Sequence, residues 1–145
     1  MRLFTIGTTR TTAEAFFDRL SAAGVGHVVD VRLNRGSQLA GFAKMPDLAF
    51  FLRAVTGIPH RHEPLLAPTA ELFTAYKKEG GNWEDYVKGY TALLESREAG
   101  RRLAAGDFAE GCLLCSEPTA ENCHRRLAAE YLVSKWRCRA NIIHL

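Results

Sequence analysis

Apolar and polar positions follow two different periods along the chain. Short apolar runs of strand length stand at residues 2–6, 27–32, 58–63, 110–115 and 137–145. Between them, apolar residues recur three or four positions apart, which is the spacing of an amphipathic helix. This spacing predicts helices after the Thr11–Glu14 capping box, over residues 47–55 and 70–78, from Asn82 onward, and from Pro118 or Thr119 onward.

Strands that alternate with helices at both ends of the chain predict an α/β fold. The opening strand, helix and second strand form a unit that favours a parallel strand pair with a right-handed crossover. We therefore expect a single domain over residues 1–145 with three layers and a mostly parallel sheet of about five strands. The helix-rich middle, residues 46–105, is interpreted as a helical insertion that caps this frame.

Composition narrows the class of protein. An apolar share of 47% and a charged share of 24% are ordinary for a globular chain of 145 residues. No apolar run approaches the roughly 20 residues of a membrane helix, and the start of the chain turns polar too soon for a secretory signal. A cytoplasmic location is therefore expected, with the four cysteines as thiols.

Residues with reactive or charged side chains are concentrated between Gly111 and Arg126. Here a short apolar strand gives way to a polar turn and then to a helix, and the segment carries Cys115, Glu117, Cys123, His124 and Arg125. In open α/β sheets, ligands bind at this edge of the sheet. The start of a helix also favours an anion and lowers the pKa of a nearby thiol.

Several chemistries stay open for this segment. It could bind a phosphate or carboxylate through Arg125, His124 and helix amides, or use Cys115 or Cys123 as a nucleophile with His124 as base and Glu117 orienting it. It could also hold zinc, form a reversible Cys115–Cys123 disulfide, or consist of core thiols and ion pairs. Zinc is disfavoured because residues three apart on a strand, such as Cys112 and Cys115, point to opposite faces, and because the adjacent Cys123 and His124 are poorly placed to share an ion on a helix. No metal ligand is therefore assigned, and Cys112 is interpreted as a core thiol.

Two other segments lie at the ends of predicted strands, and we expect these ends at the same edge of the sheet. Asp30 and Arg32 follow buried valines, so Asp30 could accept a proton and Arg32 could clamp an anion, unless the two form a buried pair. The next loop offers Arg35 and Ser37 as further donors. After the first strand, Gly7 is followed by Thr8, Thr9 and Arg10, a phosphate-friendly turn without a Walker or GxGxxG motif, so no cofactor is expected.

Three of these segments together carry a family resemblance. Thr5-Ile6-Gly7, Val29-Asp30-Val31-Arg32, and Leu113-Leu114-Cys115-Ser116-Glu117 followed by Cys123-His124-Arg125 resemble the domain-of-unknown-function 488 family over nearly the whole chain. The resemblance implies a compact α/β fold and supports the site, and it supplies no activity. The family pattern usually has a proline where this chain has Arg35, so the loop gains a cation and loses a rigid turn.

Our leading interpretation is a small enzyme that binds an anionic, phosphate-bearing, nucleotide-like ligand at the carboxyl edge of the sheet. In this interpretation Glu117 or Asp30 is the general base, and Arg32 with Arg125 holds the anion. The first alternative is cysteine chemistry of the sulfurtransferase or phosphatase kind, although the Cys-x5-Arg loop of such enzymes is missing. The second is a ligand- or nucleic-acid-binding module without turnover. With a net charge of +3 and no long basic run, a large nucleic-acid interface is not indicated, and nothing indicates a membrane partner or an oligomeric state.

Overall fold

A five-stranded parallel sheet forms the centre of the computed structural model, which describes residues 1–36 and 39–145. The strand order is β3-β2-β4-β1-β5, and each neighbouring pair is parallel. The carboxyl ends of all these strands therefore lie along one edge. The strands are β1 (Arg2–Gly7), β2 (His27–Asp30), β3 (His60–His62), β4 (Gly111–Cys115) and β5 (Asn141–His144).

Helices connect the strands and cover both faces of the sheet. Their bounds are α1 (Ala13–Ala23), α2 (Asp47–Phe51), α3 (Ala70–Lys77), α4 (Trp83–Ser96), α5 (Ala99–Arg102) and α6 (His124–Trp136). A π-helical turn, Leu52–Thr56, extends α2, and the described part of the loops contains three short 3-10 turns. Parallel neighbours require such crossovers because a tight hairpin can only join antiparallel strands.

The alternation of side chains along the strands sorts the core into two clusters. In β4, Cys112 and Leu114 pack with residues of α1 and α2, whereas Leu113 packs with residues of α4, α5 and α6. Side chains two apart on a strand share a face, so each strand contributes to both clusters. The predicted three-layer α/β fold with a parallel sheet is confirmed. Within the predicted insertion, α2 lies on one face of the sheet, α4 and α5 lie on the other, and β3 is a strand of the sheet itself.

Several element ends differ from the prediction. Thr12, not Thr11, caps α1, since its hydroxyl accepts the amide of Ala15. Helix α6 begins only at His124, because residues 116–122 form turns and Cys123 is an extended N-cap with φ −133° and ψ 138°. The last strand is also shorter than predicted and starts at Asn141.

Candidate active site

A cavity of about 460 Å³ opens at the carboxyl edge of the sheet. Its inner wall holds Cys115, Cys123 and His124, and Arg32 borders it from the end of β2. Its outer wall comes from α3 and α4 and includes Phe73, Tyr76, Lys77 and Tyr86. The volume and the mixed wall, apolar with a few convergent polar groups, are typical of a small-molecule site.

Cys115 reaches this cavity because it ends β4 on the face that α6 covers. Its carbonyl accepts the amide of Thr8 at 3.1 Å, and the next carbonyl, of Ser116, accepts the amide of Thr9 at 3.2 Å. These bonds continue the β1–β4 pairing beyond the sheet and fix the end of the strand. Cys115 is only 5% exposed, and it lines the cavity.

His124 stands directly against Cys115. Its Nδ1 lies 3.6 Å from the Cys115 Sγ, and its Nε2 lies 2.8 Å from the Val31 carbonyl. A carbonyl only accepts, so Nε2 carries a proton and Nδ1 faces the sulfur. Burial is the largest single effect and lowers the pKa of His124, but the negative charge of Cys115 and the hydrogen bonds to Cys115 and to the Val31 carbonyl together outweigh it and leave that pKa raised.

Cys123 completes the group. A hydrogen bond from the Cys123 thiol, the largest effect, lowers the pKa of Cys115 far below its ordinary value against the opposing effect of burial, and the charge of His124 adds to the lowering. The same bond and the burial of the sulfur raise the pKa of Cys123. The arrangement therefore favours a Cys115 thiolate that is held by a Cys123 thiol and a His124 imidazolium.

Arg125 fixes the turn that carries these groups. Its guanidinium is 1% exposed and donates to the Glu117 carbonyl at 2.6 Å and to the Thr5 hydroxyl at 3.3 Å, with Nη1 also 3.7 Å from the Cys123 Sγ. It forms no ion pair with a carboxylate among the described residues. Gly7 packs against the same turn: a Cβ there would lie 1.8 Å from the Glu117 oxygen. Arg125 thus stabilises the turn that forms the cavity wall without lining the cavity itself.

Asp30 and Arg32 form a buried ion pair. Arg32 donates from Nε to Oδ1 at 2.9 Å and from Nη2 to Oδ2 at 2.8 Å, and its Nη1 donates to the Ala43 carbonyl at 2.8 Å. His60 Nε2 lies 3.2 Å from the Asp30 Oδ2. Burial alone would raise the pKa of Asp30, but the hydrogen bonds from His60 and Arg32 lower it to about 2. Asp30 is therefore an ion-pair partner with little capacity to act as a base.

The remaining predicted residues are dispersed. Thr8 is buried just after β1, where its amide donates to the Cys115 carbonyl of β4. Arg10 is exposed with φ 53°, and the carbonyl of Arg35 accepts the amide of Met45 at 2.9 Å. Neither arginine lines the cavity, and Ser37 lies outside the described residues. Glu117 does line the cavity, but its carboxylate pairs with Lys77 at 2.6 Å, and the Val31 carbonyl, rather than Glu117, orients His124.

The outer wall of the cavity was missed by sequence reasoning. Lys77, Lys78 and Phe73 lie on or just after α3, and Tyr86 lies on α4. Tyr86 both lines the cavity and packs into the core cluster that includes residues of α4, α5 and α6. The paired lysines before Gly80 and Gly81 were the one available signal, because two adjacent cations at a helix end can face a ligand as well as solvent.

The three side chains on the inner wall are also a potential donor set for a metal. The ligand atoms of Cys115, Cys123 and His124 lie within 4.8 Å of one another. The adjacency of Cys123 and His124 does not prevent this, because Cys123 is extended and lies outside the helix. One feature fits a pair of thiols better than a dication: the Arg125 guanidinium donates to the Cys123 sulfur.

Comparison with known proteins adds a family and no activity. No curated protein and no solved structure gave a match. None of the described helices combines the length and the apolar character needed to cross a bilayer. The sequence profile of the family described as "Domain of unknown function DUF488" matches residues 12–132. The resemblance inferred from the sequence is thereby confirmed, and the chain belongs to the DUF488 family.

Proposed function

We propose that the protein is a small enzyme that uses the Cys115 thiolate as a nucleophile toward a small anionic substrate in the cavity. The observation that carries this proposal is the position of the Cys115 sulfur at the cavity wall, 3.6 Å from the His124 Nδ1. A nucleophile and a base in contact, with the base oriented by a third group, form the usual arrangement for covalent catalysis. Here the third group is the Val31 carbonyl.

The geometry supports this reaction better than one that depends on a carboxylate base and an arginine clamp. Asp30 is enclosed by Arg32 and His60, and its pKa of about 2 makes it a weak base. Arg125 does not line the cavity, and its guanidinium is engaged by main-chain and side-chain acceptors. Glu117 remains accessible, but its charge is paired with Lys77.

The proposed reaction has two balanced steps. The Cys115 thiolate forms a bond to the electrophilic centre of the substrate, the bond to the leaving group breaks, and the His124 imidazolium gives its Nδ1 proton to that leaving group. The neutral imidazole then takes a proton from water, the hydroxide attacks the covalent intermediate, and the thiolate leaves. Both side chains return to their starting charges. A backbone hydrogen bond from Glu117 to the Cys115 sulfur also stabilises the thiolate as the leaving group.

The cavity wall favours an anionic substrate with an apolar part. Lys77, Lys78 and Arg32 line the cavity, and Phe73, Tyr76 and Tyr86 supply apolar surface. Among the described residues Lys78 makes no ion pair, so its ammonium is available to a phosphate or carboxylate. A phosphate on an aromatic, nucleotide-like body fits both features of the wall.

The test is the pH dependence of alkylation by iodoacetamide. In a Cys112→Ser/Cys138→Ser background, we expect the rate at Cys115 to change less than about twofold between pH 6 and pH 8, because the thiolate is present throughout. A free cysteine derivative with a pKa near 8.5 should become about 75-fold faster over the same range. Peptide mass analysis assigns the modified residue, and Cys115→Ser should remove the fast reaction.

A Cys115 rate that rises in parallel with the free thiol would refute the proposal. The same would follow if the fast-reacting thiol persisted in Cys115→Ser. Inorganic phosphate or a nucleoside monophosphate in the millimolar range should slow alkylation of the parent protein if the anion site is as described. Faster alkylation by iodoacetate than by iodoacetamide, lost at high salt, would support the same anion site.

A further inference from the structure

A second thiol, with its sulfur within 4.8 Å of the reactive one, is more than the proposed mechanism needs. We propose that Cys123 is a resolving cysteine: hydrogen peroxide oxidises Cys115, and Cys123 captures the product as a Cys115–Cys123 disulfide. This inference rests on the proposed function only in needing an accessible, nucleophilic Cys115. It assigns the pair a second reaction, with a hydroperoxide as substrate.

The position of the two sulfurs supports direct bond formation. Their Sγ atoms lie within 4.8 Å of each other, and both border the cavity, so a molecule of peroxide size can reach them. Both are free thiols in this structure. Cys115 ends a strand and Cys123 precedes a helix, and residues 116–122 between them form only turns and bends. A small adjustment of this segment can bring the sulfurs to bonding distance without disturbing the sheet or α6.

The surroundings of Cys123 prepare it to attack. A Cys123 sulfur that loses its proton becomes an anion, and the Arg125 Nη1 lies 3.7 Å away to stabilise that charge. Arg125 is held there by the Glu117 carbonyl and the Thr5 hydroxyl. Cys112 lacks these features, since it lies in the opposite core cluster and burial raises its pKa.

The chemistry balances with hydrogen peroxide as the oxidant. The Cys115 thiolate attacks one peroxide oxygen, the O–O bond breaks, and the departing hydroxide takes the His124 proton and leaves as water. The Cys115 sulfenic acid that results is attacked by the Cys123 sulfur, and its hydroxyl leaves with the Cys123 proton as a second water. The two sulfurs have lost two electrons, and the peroxide has gained them. A dithiol can reverse the process by exchange with the disulfide.

Formation of the disulfide removes the nucleophile of the proposed enzyme reaction. It also closes a ring that contains residues 116–122 and so fixes the inner wall of the cavity. The oxidised protein should therefore be unreactive toward iodoacetamide at Cys115 until a dithiol is added. Such a pair links activity to the peroxide level around the protein.

The experiment treats the parent protein and three single variants, Cys123→Ser, Cys123→Ala and Cys112→Ser, with equimolar hydrogen peroxide. After quenching, thiols are counted under denaturing conditions and the protein is cleaved after glutamate. We expect the parent and Cys112→Ser each to lose two thiols, the parent going from four to two. Peptide 111–121 should then be joined to peptide 122–130. The two Cys123 variants should instead accumulate a Cys115 sulfenic acid, which dimedone traps.

The outcomes separate this inference from the proposed function. If Cys115 alkylates rapidly but the parent forms only a sulfenic or sulfinic acid, Cys123 is not a resolving thiol, and the proposed function stands. A disulfide that links two molecules, or one that persists in the Cys123 variants, would equally overturn it. Purified protein that contains stoichiometric zinc, and that forms the disulfide only after chelation, would show that the two sulfurs serve a metal instead. Circular dichroism of the Cys123→Ser and Cys123→Ala variants confirms that they are folded.

Discussion

Gly7 is the position where the smallest change should disturb the candidate site most. It ends β1 beside the turn that follows Cys115, and an added Cβ would lie 1.8 Å from the Glu117 carbonyl oxygen and 2.9 Å from its carbon. These are main-chain atoms, so a side-chain rotation cannot relieve the overlap. The Arg125 Nη1, 3.1 Å from the same Cβ, blocks part of the remaining space.

The expected cost follows from two effects. The Glu117 carbonyl must withdraw by roughly 1.5 Å to reach an ordinary contact distance, and such overpacking in a closely packed region costs about 1–3 kcal/mol. The movement also weakens the 2.6 Å hydrogen bond from Arg125 to that carbonyl. A hydrogen bond to a charged group contributes about 1.5–3 kcal/mol. We therefore expect Gly7→Ala to lower the free energy of unfolding by about 3–5 kcal/mol, a large share of a typical domain stability of about 5–15 kcal/mol.

Urea unfolding followed by circular dichroism measures this loss. Gly106→Ala is the matched control, because a Cβ there meets nothing within 4 Å, and its stability should change by less than about 1 kcal/mol. The folded fraction of Gly7→Ala should also alkylate Cys115 more slowly at pH 6, since the turn that holds the thiolate has moved. If Gly7→Ala were as stable as Gly106→Ala, the close packing of β1 against the Glu117 turn would be wrong.

Three further predictions concern charged groups at the site. Asp30→Asn should cost about 3–5 kcal/mol by leaving a buried guanidinium unpaired. The pKa of Asp30 in the folded protein, about 2, is below the ordinary value of 3.8. The ionised carboxylate therefore stabilises the fold above about pH 4, and this stabilisation is lost as the pH falls toward 2. Urea titrations of Asp30→Asn should lack this acid dependence. The hydrogen bond from Cys123 is the largest effect that lowers the pKa of Cys115, and the charge and hydrogen bond of His124 add to it. His124→Ala should therefore slow alkylation of Cys115 at pH 6 by at least about tenfold, and an unchanged rate would contradict the contact. Glu117→Gln should change the free energy of unfolding by less than about 1 kcal/mol, since the ion pair of Glu117 with Lys77 is partly exposed. It should also raise the ratio of the iodoacetate rate to the iodoacetamide rate at low salt. A ratio that stays the same would argue against an anion site there.

The strand ends show what the sequence could predict. Apolar runs that turn polar marked β2 and β4, and parallel pairing places the ends of neighbouring strands together. From these two facts alone, Arg32 and Cys115 could be expected at one edge, and both line the same cavity. The contact between Cys115 and His124 was within reach as well, because both belong to one short segment.

The partners of these side chains were not predictable. Val31 enters the site through its carbonyl, and any residue at that position would offer the same atom, so the sequence carries no trace of its role in orienting His124. Cys123 approaches Cys115 because its backbone is extended, whereas the apolar spacing predicted a helix that already included it. Lys77 reaches the cavity through the packing of α3 over the sheet edge, a long-range contact that local patterns do not encode.

The two buried arginines differ in how their charge is compensated. Arg32 has a carboxylate partner in Asp30, and burying such a pair requires no further charge. Arg125 is as deeply buried but meets carbonyl, hydroxyl and sulfur atoms instead of a carboxylate among the described residues. A buried charge without a counter-charge is costly, and the imidazolium of His124 would add a second one. A negative Cys115 would offset the charge of the His124 imidazolium, whereas the Arg125 guanidinium contacts the Cys123 sulfur at 3.7 Å. Removing the sulfur should therefore harm the fold as well as the chemistry, and Cys115→Ser is best interpreted beside a measurement of stability.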